Sequence, residues 1–335
     1  MLRKRVLVTG ATGLVGSYIA RLLVLGGEWE VVATRRENSP TELLGAATSQ
    51  IDWIVGDLRD AWTCQEALAD CTHVVHAAGL VSYRAGDTQL LDELNAQLTR
   101  QLVDFALDAE LPLQHFVHVS SIAALNENKQ HDLNFEVDQH TTRYAMSKRR
   151  AELQVWRAME EGLPTTIVNP SVVLGAGFWD RSSCRLVDWV AAGQRFYPPG
   201  STAYVDVRDL AGFVVHLLSQ PARKQRYVVS GTNATYAEFF HLLADALEVP
   251  APQTVVSPWQ AELAWRAEAA RALVTGAEPL LTSESARRSL RRLSFDNRRS
   301  VELGARYRPL EQTVADLVAS YRATRKQGYG TWALD

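Results

Sequence analysis

The chain has three cysteines, Cys64, Cys71 and Cys184, in 335 residues. Thiols so few and so scattered build neither a disulfide framework nor a metal knuckle, and a reducing compartment, the cytoplasm, is the expected setting. No run reaches the roughly 18 consecutive apolar residues of a membrane-spanning helix, so no membrane is expected as a partner. A secretory leader needs a longer apolar stretch than Val6–Val8, which runs straight into glycines. Charge of one sign is also missing. Lys and Arg total 35 against 38 Asp and Glu, a net charge of −3, which points to no nucleic acid and no anionic surface. The eight histidines form no H-x-x-x-H or H-E-x-x-H, so no metal is expected. No G-x-S-x-G elbow accompanies a serine, which counts against a serine hydrolase. Internal repeats and low-complexity tracts are absent.

What remains is ordinary globular composition, 47% hydrophobic and 22% charged, with length for two domains or one large one. Apolar runs at Val6–Val8, Val31–Ala33, Asp52–Val55, His73–Val75 and His115–Val119 alternate with helical patterns near 14–26, 63–69, 88–109 and 141–162. Leu91, Leu94, Leu98, Leu102 and Phe105 recur at three- and four-residue steps, one apolar face of a helix. Further strands are expected at Thr165–Val168 and Arg226–Val229. Such alternation is an α/β pattern that builds a parallel sheet covered by helices. After Pro170 the texture changes to Gly- and Pro-rich turns, aromatics and helical stretches broken by Pro250, Pro252, Pro258 and Pro279. The expected organisation is a dinucleotide-type sheet domain over residues 1–170 and about 204–232. A smaller, discontinuous, mostly helical substrate cap takes about 171–203 and 233–335.

The first strand runs into Gly10-Ala-Thr12-Gly13-Leu14-Val15-Gly16 and then a helix. Glycine is needed where the chain turns sharply and a diphosphate must approach backbone. The helix start offers N–H groups and a positive dipole end to that phosphate. Gly10, Thr12, Gly13, Leu14, Val15 and Gly16 are therefore candidate cofactor-binding residues. A tight strand–helix turn without ligand is the plainer reading of the same glycines. At the second strand's tip, Arg35 and Arg36 stand where an acid would hold the ribose of NAD(H). A guanidinium suits a 2′-phosphate, so NADP(H) is preferred, with NAD(H) possible. Two solvated arginines partnered by Glu37 would be the bland alternative.

Tyr144-Ala-Met-Ser-Lys148 lies in the stretch 141–162, where residues four apart share a helix face. A phenol ionises near pH 10; a neighbouring cation lowers that value and makes Tyr144 a usable acid–base group. The pattern is common by chance on helices. Context favours chemistry: Ser120-Ser121 closes a strand 23 residues before Tyr144, at the sheet end where ligands bind. The Ser121 hydroxyl is then a donor to a substrate carbonyl, unless it merely caps a turn.

With Asp57-Leu58, His76-Ala77-Ala78-Gly79, Asn169-Pro170-Ser171 and Tyr204-Val205-Asp206 added, the chain resembles the extended short-chain dehydrogenase/reductase family, the NAD(P)-dependent epimerases/dehydratases. It is most similar to the dihydroflavonol reductase-like and 3β-hydroxysteroid dehydrogenase-like branch. The resemblance implies a doubly wound Rossmann sheet with a mostly helical cap. It implies Gly10, Gly13 and Gly16 at the diphosphate, Asp57 and Leu58 at the adenine, and Ala77, Ala78 and Gly79 beside a ribose. Pro170, Val172 and Val173 border the nicotinamide. Tyr144 is the catalytic acid–base, Lys148 its helper and a ribose ligand, Ser121 the carbonyl donor, and Asn95 an accessory catalytic residue. His76 departs from the asparagine common at that place. Ser121-Ile122-Ala123 stands where sugar-nucleotide dehydratases carry Thr-Asp-Glu, so the acids for water elimination are missing.

Three functions compete. One is an NADP(H)-dependent reductase or alcohol dehydrogenase for a small apolar or ring-containing substrate, with Phe178, Trp179, Tyr197 and Tyr204 as candidate pocket wall. Those aromatics could equally be cap packing. The second is a nucleotide-sugar epimerase with retained NAD, for which the basic run Arg287–Arg299 could contact an anionic substrate; a solvated helix face is its bland reading. The third is a non-catalytic dinucleotide sensor, which has no use for a proton donor. A homodimer through the helices near 88–109 and 141–162 is possible, with Leu153, Val155 and Trp156 serving either that bundle or the sheet.

Overall fold

Apolar runs in the first half become strands: β1 (Arg5–Thr9), β2 (Glu30–Arg35), β3 (Asp52–Val55), β4 (His73–His76), β5 (His115–Val119) and β6 (Thr165–Pro170). The amphipathic stretches between them become α1 (Leu14–Gly26), α2 (Ala61–Leu68), α3 (Thr88–Leu91), α4 (Leu98–Asp108) and α5 (Arg143–Glu160). The computed structural model describes residues 4–108, 113–126, 141–275 and 281–334. Its later elements are β7 (Val172–Leu174), α6 (Arg185–Ala191), β8 (Phe196–Tyr197), β9 (Ser201–Asp206), α7 (Val207–Leu218), β10 (Arg226–Val229), β11 (Thr232–Thr235), α8 (Tyr236–Leu247) and β12 (Thr254–Val255). They end with α9 (Pro258–Thr275), α10 (Ser283–Ser289), α11 (Arg298–Glu302) and α12 (Leu310–Thr324).

Seven strands pair in parallel in the order β10-β6-β5-β4-β1-β2-β3. Side-chain alternation along them feeds two cores. Val6, Val8, Val31, Val75, Val117 and Val168 face α1 and α7, while Leu7, Val32, Val74, Phe116 and Ile167 face α2, α4 and α5. Burial on both faces explains why these strands read as unbroken apolar runs. The fold is thus a doubly wound, Rossmann-like α/β sheet.

The chain leaves this sheet at Pro170-Ser171 and enters a second one, β11-β9-β7, on which Tyr204 stacks against Phe239 of α8 at 4.4 Å. The sequence reading anticipated none of the short strands after β6 except β10. They are two to six residues long and lack a sustained period. Among the described residues no helix is long and apolar enough to cross a membrane, and no His, Cys, Asp and Glu side chains cluster to hold a metal.

Two local features position the site. The expected helix over 88–109 is continuous but changes to a π turn at Asp92–Gln97. The extra residue per turn aims Asn95 inward, and the Thr99 hydroxyl donates to the Asn95 carbonyl at 2.6 Å. The second is α10, which is tied at both ends. Glu284 accepts from the Arg143 backbone N–H at 3.2 Å and pairs with its guanidinium at 2.8 Å. At the other end, the Gly200 N–H donates to the Ser289 carbonyl at 3.1 Å and the Ser201 N–H to the Arg291 carbonyl at 2.9 Å. A Cβ on Gly200 would fall 2.2 Å from the Arg291 oxygen, so the approach requires glycine.

Candidate active site

Strand order reverses between β1 and β4, and the crevice at their carboxyl ends is shaped by glycine. Gly10 has φ +71°, and an added Cβ would lie 2.7 Å from the Ala78 nitrogen and 2.8 Å from the Ala77 carbonyl carbon. A Cβ on Gly16 would sit 2.2 Å from the Gly10 oxygen. Gly13 is different: beyond the Gly10 oxygen at 3.3 Å, nothing crowds it. It opens α1, which begins with no side-chain cap and no acid in its first turn. That combination of close-packed backbone and an uncapped, uncharged helix start fits a diphosphate. Gly16→Ala is expected to abolish dinucleotide binding, because the new methyl meets backbone rather than a flexible side chain. Fluorescence titration with NADPH checks this, and a native affinity would show that the loop yields.

At the β2 tip, Arg35 lies over the Trp53 ring at 5.6 Å and donates to the Glu37 carbonyl at 3.1 Å, while Arg36 is exposed. Asp57 is engaged by Arg59 at 2.6 Å, whose hydrogen bonds hold its carboxyl below the usual range, with Arg36 adding to the effect. Leu58 is buried in the core under α2, and the Gln101 amide donates to its carbonyl at 2.9 Å.

His76 stands in a closed network. Its Nδ1 is 2.8 Å from the Thr9 hydroxyl and its Nε2 is 2.9 Å from the Thr99 hydroxyl. Thr99 already donates to Asn95, so it accepts from Nε2–H; the neutral ring then has a bare Nδ1, to which the Thr9 hydroxyl donates while accepting from the Ala78 N–H at 3.2 Å. Burial pushes the imidazole down to about 3, which keeps it neutral, as this tautomer needs. The histidine thereby ties β1 and β4 to α4, which explains why it is accommodated there.

Asn95 clamps the chain after β4. Its Oδ1 accepts from the Leu80 N–H at 2.7 Å, and its Nδ2 donates to the Leu80 carbonyl at 2.9 Å and the Ser147 hydroxyl at 2.8 Å. A Cβ on the adjacent Gly79 would lie 2.9 Å from that Oδ1 and 3.2 Å from Lys148 Nζ. The structure thus brings Gly79, Asn95 and Lys148 together.

Thr142 caps α5 by accepting from the Ala145 N–H at 3.0 Å, which fixes the turn carrying Tyr144. Tyr144 is buried, with Tyr83 edge-on at 5.8 Å and the Ser121 side chain close enough to act on its phenol; the Ser121 hydroxyl accepts from the Ala123 N–H at 3.1 Å. Its electrostatics differ from the expectation. Burial pushes the phenol above its ordinary value, Tyr83 pushes it further, and Ser121 and Arg288 pull it back. Lys148 is not among these influences. Its ammonium donates to the Val119 carbonyl at 3.1 Å, and burial lowers it to about 8 despite the raising effect of Glu152.

Behind Ser121 lies a group the sequence reading passed over. Glu152 is fully buried; it accepts from the Ser120 hydroxyl at 2.6 Å and the Asn169 amide at 2.5 Å, and pairs with Arg226 at 2.5 Å and Arg149 at 3.7 Å. The Asn169 amide also donates to the Ser121 carbonyl at 2.8 Å. The available signal was the four-residue step Tyr144, Lys148, Glu152.

The expected pocket aromatics scatter. Trp179 is buried against Tyr321 at 5.3 Å and donates to Thr324 at 3.1 Å; Phe178 meets Tyr329 at 6.1 Å. Both pack on the C-terminal segment. Tyr197 contacts His241 at 6.1 Å, and Tyr204 is buried under α8. Pro170 is buried at the end of β6, and Val172 and Val173 are half-buried on β7 beside β9.

Residues 6–230 match the NAD dependent epimerase/dehydratase family. The chain belongs to this family. It is 32% identical over 263 residues to "Sterol demethylase protein B" of Methylococcus capsulatus, covering 75% of this chain and 77% of that one. It is 27% identical over 263 residues to "Cinnamoyl-CoA reductase 1" of Oryza sativa, covering 72% and 76%. Its fold is shared with a UDP-glucuronic acid 4-epimerase of Bacillus cereus solved with UDP-glucuronic acid and NAD, at a TM-score of 0.69, 17% identity and coverage of 94% and 99%. This epimerase/dehydratase-family protein is therefore an NAD(P)-dependent enzyme, an oxidoreductase.

Proposed function

We propose that this enzyme is an NADP(H)-dependent carbonyl reductase, running in reverse as an alcohol dehydrogenase, for a small apolar or ring-containing substrate. The observation that carries it is the Tyr144 phenol set beside the Ser121 side chain at the carboxyl end of β5, with no acid in the turn Ile122–Ala124 that follows. When bound, the nicotinamide supplies the hydride. Ser121 holds the carbonyl oxygen, and Tyr144, neutral in its buried setting, gives that oxygen its proton. Lys148, Asn95 and Gly79 line the side on which a ribose would lie. Pro170, Val172 and Val173 are assigned to the nicotinamide. NADPH absorbance with a panel of carbonyl compounds and sugar nucleotides tests the reading. Stoichiometric NAD retained on the purified protein, with sugar-nucleotide epimerisation, would overturn it.

The cofactor preference rests on Arg35 and Arg36. Arg36→Asp is expected to move selectivity toward NADH by removing a charge-assisted contact of about 1.5–3 kcal/mol. Equal dissociation constants for NADPH and NADH in the unaltered enzyme would refute the preference. A cytoplasmic homodimer is part of the same reading; its surface is the outer face of α4 and α5, where Leu153 is exposed.

A further inference from the structure

One cation above the crevice has no use in the chemistry so far. Arg288 sits on α10, one turn after Glu284 and on the same helix face. Glu284 touches Arg143, the neighbour of Tyr144, and the far end of α10 is bonded to Gly200, whose carbonyl accepts from the Tyr236 N–H at 3.1 Å. These two ties set α10 beside the starts of α5 and α8, which carry Tyr144 and Tyr236. The Arg288 charge draws the phenols of Tyr83, Tyr144 and Tyr236 toward lower values. Arg288 is half-buried, and among the described residues no carboxylate pairs with it; Glu284 is taken by Arg143, and the neighbouring Arg287 is paired with Glu262 at 3.3 Å.

A half-buried guanidinium with no carboxylate partner among the described residues keeps its fork of donors available to an anion. Three tyrosines offer it hydroxyl dipoles but no anion. We propose that Arg288 recognises a carboxylate on the substrate, placed within a few bonds of the carbonyl carbon that Ser121 and Tyr144 address. A planar fork suits a carboxylate's two oxygens, and one cation matches one negative charge better than the nearly double charge of a phosphate monoester. The substrate class becomes an oxo acid, or the matching hydroxy acid, with the acidic group held at the reacting end. This rests on the reading of the site as a carbonyl reductase.

The test uses α-, β- and γ-oxo acids, aliphatic and aromatic, each beside its methyl ester. Binding is measured calorimetrically on NADP⁺-loaded enzyme and turnover by NADPH oxidation. At least one acid is expected to exceed its ester by about 10- to 100-fold in affinity and in kcat/KM. Arg288→Gln should collapse that ratio toward one, and Arg288→Lys should restore part of it. Equal binding of acid and ester, no binding of any acid, or an acid preference that survives Arg288→Gln overturns the proposal. So does an equal fall of acid and ester with a shifted pH profile, which would make Arg288 a partner of Tyr144 alone. Acids that bind through Arg288 without turnover of any carbonyl would sink the reductase reading and leave the anion site standing.

Discussion

Tyr144→Phe is expected to saturate with NADPH as the unaltered enzyme does and to turn over its carbonyl substrate about 10²–10⁴-fold more slowly, the usual worth of a general acid. The ring stays, so its edge contact with Tyr83 at 5.8 Å and its place under the capped start of α5 are kept. Only the hydroxyl that faces Ser121 is lost. The direction of the pKa shift adds a second signature. Burial holds the phenol above its ordinary value, so the proton donor for reduction is fully present at neutral pH and above. Oxidation of the alcohol needs the phenolate, so its rate should climb with pH where the reduction rate is flat. Near-native turnover by Tyr144→Phe, measured in single-turnover mode on the same substrate, would return the Tyr–Lys spacing to coincidence.

The largest expected loss of stability is at Glu152. Glu152→Ala removes the counter-charge of Arg226, itself buried, and strips the Ser120 hydroxyl and the Asn169 amide of their common acceptor. Breaking one side of a buried pair typically costs 3–5 kcal/mol, roughly the scale expected here. The midpoint of urea unfolding reads it directly. Glu152→Met combined with Arg226→Met removes that pair and should recover part of the stability, since buried Arg149 keeps its charge 3.7 Å from the lost carboxylate. Turnover should not recover, since the Asn169 amide that holds the Ser121 carbonyl at 2.8 Å has lost its anchor. A single Glu152→Ala variant with an unchanged midpoint would show that water enters and solvates Arg226.

The sheet was legible because doubly buried strands leave unbroken apolar runs, and Val6-Leu7-Val8 shows this while feeding two different cores. The glycine loop was legible because backbone crowding demands glycine at Gly10 and Gly16. Ser121, Tyr144 and Lys148 were legible as a strand end and a helical step. What escaped depends on contacts distant in sequence. The π turn around Asn95 leaves no mark on composition. Glu152 reads as an ordinary helix-surface acid until Arg226 arrives from β10. The sign of the Tyr144 shift escaped because Lys148 turns to the Val119 carbonyl and burial then dominates. The contact of Trp179 with Tyr321 joins residues far apart in the chain and leaves no local mark either.

Glu152 precedes Arg226 by 74 residues, and a ribosome delivers them in that order. Ser121, Tyr144 and Lys148 have all emerged while β6 still lacks its outer neighbour β10. A nascent chain at that length carries an open strand edge. It also carries a carboxylate whose cation within the chain already made is Arg149 at 3.7 Å. It must stay loose there or admit water to the carboxylate. The candidate site is therefore expected to set late in synthesis, on the arrival of an edge strand that supplies none of Ser121, Tyr144 and Lys148.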